Sequence, residues 1–185
     1  MPMLGIMASA ISGNLWAPGK DFDSIATVTA TGSSATISFT SIPSTYRHLQ
    51  IRVTGGISYS SNAYDALAIQ FNSDTTTTNY NQHYLAGSGS SAYAGNYTSV
   101  RNAATWMIQS NTGIFSPGVI DILDYANTNK NKTVRSLSGI DFNTDGEIFF
   151  NSTLWMNTAA ITSISLVSAS GVFLNNSSFA LYGAK

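Results

Sequence analysis

His48-Leu49-Gln50-Ile51-Arg52-Val53-Thr54 sets aliphatic side chains at 49, 51 and 53 against Gln50 and Arg52. Successive side chains of an extended backbone point to opposite faces, so this alternation is that of a strand with one face buried and one in water. Leu67-Ala68-Ile69-Gln70-Phe71 repeats it. Working outward, Ile25 to Thr31 and Ala35 to Thr40 read as two strands of a hairpin across Gly32-Ser33-Ser34, with Ile37 and Phe39 facing one way. Thr105 to Gln109, Gly118 to Tyr125, Thr133 to Phe142, Glu147 to Met156, Thr162 to Val167 and Ser178 to Tyr182 are strand-like. The polar stretch Ala126 to Lys132 is expected to turn one hairpin. Ser73 to Gly95, dense in Thr, Asn, Ser, Gly and Tyr, reads as a long exposed loop with a strand at Tyr80 to Leu85.

The count is about ten strands, and no long segment carries an apolar period of 3.6. Short half-buried strands must each cover one face, which two packed sheets accomplish. The expected fold is all-β: a single antiparallel β-sandwich of jelly-roll type, residues 23–185, behind an extended N-terminal arm, residues 1–22. The arm is punctuated by Pro2, Gly5, Gly13, Pro18 and Gly19, which keep it from sustaining helix or strand. It lacks the basic start of a secretory signal, so it is read as uncleaved. Leu4, Ile6, Met7, Ile11, Leu15 and Trp16 make it an apolar anchoring peptide suited to a neighbouring subunit or a sheet edge.

Only 9% of the 185 residues are charged, against about a quarter in ordinary domains, and the net charge is −1. Without clustered Lys or Arg there is no basis for expecting nucleic acid as a partner. No apolar run approaches the ~20 residues of a membrane span. A weakly charged, hydroxyl- and amide-rich surface favours association, since net charge is what commonly keeps small domains apart. Cysteine is absent, which removes disulfides and thiolate chemistry.

Catalysis finds little purchase. His48 and His83 lie in strand patterns and outside any nucleophile motif, and read as structural or surface residues. Glu147 is the sole glutamate, and a glycosidase would need to pair it with Asp141 or Asp145 across a sugar. Asp141, Asn143 and Asp145 match the first half of a calcium loop, with Gly146 in sixth place. Position twelve, however, is Ser152, and the flanks read as strands. A hairpin turn through Asp145-Gly146 is the preferred reading; no metal and no cofactor are expected. Tyr80, Tyr84, Tyr93 and Tyr97 form an aromatic cluster of the kind that stacks on sugar rings or fills a partner's pocket, or that anchors a loop. Trp106 and Trp155 are read as core.

One set of motifs runs in order through nearly the whole chain. It begins with Gly5-Ile6-Met7-Ala8-Ser9-Ala10-Ile11-Ser12-Gly13 and Phe22-Asp23-Ser24-Ile25-Ala26-Thr27-Val28. Ser41 to Arg52, Phe71-Asn72-Ser73-Asp74 and Ile120 to Thr133 follow, and Leu154 to Ile164 and Ser178 to Gly183 close it. In this series the chain resembles a group of small phage virion structural proteins that open with such an arm. The resemblance implies a virion location, with assembly in the host cytoplasm, and other capsid or tail proteins as partners. It carries over no catalytic residue. The leading expectation is a non-enzymatic capsid decoration protein held by its arm. Symmetric self-association, for which a trimer is one closed form, would bury its weakly charged flanks. The alternative is a tail fibre or tail-tip domain binding host-surface glycan.

Overall fold

The computed structural model describes residues 21–58, 64–99, 104–109, 113–141 and 146–185, with 104–109 described by backbone alone. Twelve strands are found among them: β1 (Phe22–Thr29), β2 (Thr36–Phe39), β3 (His48–Gly55), β4 (Tyr64–Phe71), β5 (Tyr80–Gly87) and β6 (Ala92–Thr98) in the first half. The second half supplies β7 (Ala104–Gln109), β8 (Ser116–Leu123), β9 (Lys132–Asp141), β10 (Gly146–Trp155), β11 (Ile164–Ser168) and β12 (Ser178–Ala184). A 3-10 turn, Thr77–Asn79, precedes β5. The arm residues Leu4, Ile6, Met7, Ile11, Leu15 and Trp16 lie outside the described residues, as does the side chain of Trp106.

One sheet runs β1-β12-β3-β8-β9-β10-β5-β6 and the other β2-β11-β4-β7, with every pairing antiparallel. Setting aside β5-β6 and β9-β10 leaves β1-β12-β3-β8 facing β2-β11-β4-β7, which is jelly-roll wiring, as the alternating pattern led us to expect. The β5-β6 and β9-β10 hairpins both add to the same sheet and double its width. At the far edge of the narrow sheet, β7 lies against β9 and β10, and the strip formed by β5 and β6 continues past that edge.

Between the sheets lies the main core. Leu49, Ile51 and Val53 of β3, Ile120 and Ile122 of β8 and Phe179 and Leu181 of β12 meet Ile37, Phe39, Leu67, Ile69, Phe71, Ile164 and Leu166 from the facing sheet. The segments at 48–54 and 67–71 bury the faces their alternation assigned, and Trp155 is in the core. A smaller cluster of Ala86, Ile140 and Phe149, with Tyr64 and Tyr84 packed on it, lies under the widened part.

Two expectations are corrected. β1 and β2 form no hairpin with each other: β1 pairs with β12 and β2 with β11. Between them the chain crosses from one sheet to the other, held by Ala30 N–H donating to Ser177 O at 2.8 Å and by Gly32 at φ +84°. Nor is Ser73 to Gly95 a loop. Most of it is the β5-β6 hairpin, in which β6 is drawn into strand form by a full ladder from Asn81↔Thr98 to Gly87↔Ala92, although its own Ala, Gly and Asn residues carry little strand preference.

Several motifs of the ordered series meet at one end of the sandwich. Asn72 (φ +51°) and Ser73 (φ +59°) turn the chain out of β4. The Asn72 side chain accepts from Thr162 N–H at 2.8 Å and donates to Ala160 O at 2.8 Å. Buried Tyr125 donates its hydroxyl to Pro43 O. His48 Nδ1 accepts the Asp124 N–H at 3.0 Å, and Lys130 pairs with the Asp124 carboxylate, whose pKa it lowers.

Gly183, near the end of the series, is required by close approach: a Cβ there would stand 2.2 Å from the Tyr46 ring. Gly183→Ala is expected to lower stability by about 2 kcal/mol and the melting temperature by roughly 4–8 °C, as thermal unfolding followed by circular dichroism would show. An unchanged melt would mean that the Tyr46 ring swings aside at no cost.

Candidate functional site

The β5-β6 hairpin and β10 place their inward-facing residues where the narrow sheet ends. In β5 these are Tyr80, Gln82, Tyr84 and Ala86; in β10, Glu147, Phe149, Asn151, Thr153 and Trp155. The register sets Tyr84 opposite Gly95, with Tyr97 opposite Gln82 and Tyr93 opposite Ala86. Because Gly95 has no side chain, the Tyr84 ring lies over it, within 2.6 Å of where a Cβ would be. There it stacks with Tyr97 (centroids 5.7 Å apart, planes at 19°) and meets Tyr93 edge-on at 6.2 Å.

These rings wall a pocket of about 260 Å³ that also takes in Tyr64, Phe149, Gln82 and Asn151. Gln82 and Asn151 are 2% and 3% exposed. Gln82 donates to Asn151 Oδ1 at 2.7 Å, and Asn151 donates to Ser136 Oγ at 3.2 Å, so an amide chain crosses β5, β10 and β9. Gln82 Oε1 is buried without a hydrogen-bond donor among the described residues. At the rim the Tyr93 hydroxyl donates to Glu147 Oε1 at 2.7 Å. Burial raises the pKa of Tyr93 well above that of a free phenol, and the carboxylate adds to the effect by taking the proton's hydrogen bond. Burial raises Tyr84 as well, helped by its neighbour Tyr97. Both rings are neutral phenols at physiological pH.

Of the four tyrosines singled out in the sequence, three come together here. The fourth, Tyr80, is no surface residue: it is fully buried in the main core, where its hydroxyl donates to Asp74 O at 3.0 Å and accepts from Phe71 N–H at 3.2 Å. It shares a face with Tyr84, but it lies under the narrow sheet and beside Trp155. Sequence reading missed Gln82, Asn151, Tyr64 and Phe149. Gln82, a long amide at an inward position between two tyrosines, was the available signal.

Among the described residues, Glu147 and Asp141 do not assemble into an acid–base pair. Asp141 stands opposite Gly146, one position from Glu147, so the two side chains leave opposite faces of the sheet. Asn143 and Asp145 lie outside the described residues. The pairing of Asp141 with Gly146 makes the segment between β9 and β10 a hairpin connection. Among the described residues no three His, Asp or Glu side chains gather as a metal site. Also among them, no helix is long and apolar enough to cross a membrane. His83 is exposed on the outward face of β5, opposite Ser152 and Asn96.

On that outward face a second feature appears. Val119, Leu137, Phe150 and Leu85 stand in register across β8, β9, β10 and β5, with Ile148 beside them. All five are exposed, from 37% at Val119 to 62% at Ile148. The neighbouring row, Asp121, Arg135, Ser152 and His83, is polar, with Arg135 and Asp121 paired at 3.1 Å. The sequence signal was the run Ile148-Phe149-Phe150, which gives β10 apolar residues on both faces.

Comparison with protein-family models, with curated proteins and with solved structures finds nothing that matches the chain.

Proposed function

We propose that the chain is a non-enzymatic structural protein of a bacteriophage particle, displayed on its surface and held there through residues 1–22, with capsid decoration as its leading station. The ordered motif series supports the virion reading. The structural observation that carries the assembly role is the apolar row Val119, Leu137, Phe150 and Leu85 with Ile148. A sheet face whose neighbouring row is polar and ion-paired has no need of five large apolar side chains in water, and such patches mark interaction sites.

The occupant we assign to this face is the arm of a second copy. Residues 1–20 hold Leu4, Ile6, Met7, Ile11, Leu15 and Trp16, and their one charged side chain is Lys20. The arm leads into β1, an edge strand of the same sheet, four strands from β9. That separation is roughly 19 Å at sheet spacing, whereas about twenty extended residues reach ~66 Å. The arm is therefore long enough to leave its own subunit. Closed exchange of arms would give a symmetric oligomer.

Deleting residues 1–17, or making Leu137→Asp with Phe150→Asp, is expected to leave a folded monomer that no longer joins the particle. Normal incorporation of both variants would refute the reading. A tail fibre or tail-tip domain binding host-surface glycan is the second reading, favoured by the tyrosine-lined pocket. Imaging of intact particles carrying the labelled protein separates capsid from tail.

A further inference from the structure

We infer that the pocket between β5, β6 and β10 binds a single neutral sugar ring of the hexose or N-acetylhexosamine type. The inference deepens the glycan reading of the tyrosines but does not depend on whether the chain sits on a capsid or a tail. Three observations converge on the ligand class.

Size comes first. About 260 Å³ lies just under the ~300–1,000 Å³ of pockets that enclose drug-sized molecules, which suits one ring and excludes a long oligosaccharide held end to end. Wall chemistry comes second. Tyr84, Tyr93 and Tyr97 present ring faces and edges as well as hydroxyls, so they offer the apolar contact that a sugar's C–H face takes and the polar contact that its hydroxyls take. Tyr97 is 47% exposed and Tyr93 37%, which leaves both reachable from solvent.

The floor is the third and most specific. Gln82 lines the pocket and is 98% buried, and its Oε1 is buried with no donor among the described residues. A buried acceptor without a partner is unfavourable, and a ligand hydroxyl or amide N–H would satisfy it. That requirement selects a ligand with donors. It rejects a purely apolar ligand, which would leave Oε1 bare.

Charge narrows the class further. Among the described residues no Lys, Arg or His lines the pocket, while the Glu147 carboxylate sits at the rim on Tyr93, with its second oxygen, Oε2, buried and without a hydrogen-bond partner among the described residues. An acidic sugar would meet a like charge, with no cation among the described lining residues to offset it. Gly95 completes the site: any side chain there would displace the Tyr84 ring from its place over β6.

The test is titration of the full chain, by saturation-transfer NMR and calorimetry, with glucose, galactose, mannose, N-acetylglucosamine and N-acetylgalactosamine, and with sialic acid as the charged control. At least one neutral sugar is expected to bind saturably and sialic acid not to bind. Tyr97→Ala, which removes a half-exposed ring and should leave the protein folded, is expected to weaken that binding tenfold or more. Gln82→Leu should abolish it; if that variant fails to fold, Tyr97→Ala carries the test alone. No saturable neutral sugar, preference for sialic acid, or a Tyr97→Ala protein that binds like the parent would each overturn the assignment. Because the assay uses isolated protein, its failure leaves the particle-incorporation test of the assembly role standing.

Discussion

Lys132→Ala is expected to destabilise the protein by about 4 kcal/mol, the largest effect of any single substitution considered. Lys132 opens β9 and is fully buried. Its ammonium donates to the carbonyls of Asn127 at 2.6 Å, Lys130 at 2.9 Å and Thr158 at 3.0 Å. One cation thereby closes the β8-β9 turn on itself and ties it to the segment after β10. Burial, with the Lys130 charge near it, draws the ammonium's pKa below that of a free lysine, and the three acceptors are what favour keeping it charged.

Truncation to alanine leaves three inward-facing carbonyls without a donor and a void where the stem lay. Lys132→Met restores the stem alone, and its expected loss is about 2 kcal/mol. Urea unfolding of both variants separates the two contributions. A Lys132→Met protein as stable as the parent would show that the three bonds only offset the desolvation of the charge.

The second large effect is expected at Asp74. Its carboxylate accepts from Trp155 Nε1 at 2.8 Å, Asn79 Nδ2 at 2.8 Å and Thr76 N–H at 2.9 Å, so it joins the 3-10 turn to the core tryptophan. Desolvation on its own would raise the pKa; the bonds from Asn79, Trp155 and Thr76 outweigh it and bring the group from 3.8 down to about 2.

The sign follows from linkage. A depressed carboxylate stabilises the fold fully above its unfolded value, near pH 4, and that contribution is lost as the pH falls toward 2. Its size is about 2 kcal/mol, reduced by the partial exposure of the group. Asp74→Ala also orphans the indole N–H of a buried tryptophan, so the expected loss at pH 7 is about 3 kcal/mol. Between pH 4 and pH 2 the variant's stability should fall less steeply than the parent's. Unfolding curves at pH 7, 4 and 2.5 check both points, and parallel acid profiles would remove Asp74 from the account.

Asp74 and Lys132 show what kind of information the motif series holds. Phe71-Asn72-Ser73-Asp74 and the stretch through Lys130-Asn131-Lys132 read as polar loop in one dimension. In the fold they help form the hydrogen-bonded end of the sandwich, where Tyr125 bonds Pro43, Trp155 bonds Asp74, Asn72 bonds Ala160 and Lys132 bonds Asn127. Polar residues with the turn preferences of Asn, Ser and Asp mark where the chain reverses; which distant carbonyl or indole they meet is not written locally.

The strand character of 48–54 and 67–71, the hairpin at 126–132, the absence of helical period and the inward parity of Ile37 and Phe39 were legible because each depends on residues one or two apart. Parity, however, names a face and not what covers it. Tyr80 and Tyr84 have the same parity on one strand, yet the first is packed into the main core and the second lines a pocket. Only the tertiary structure decided that β1 and β2 part into different sheets, that β6 is a strand at all, and that Gln82 faces a pocket instead of a core. Those outcomes depend on pairings between segments far apart in the chain, whose closure entropy and shared burial no local pattern encodes.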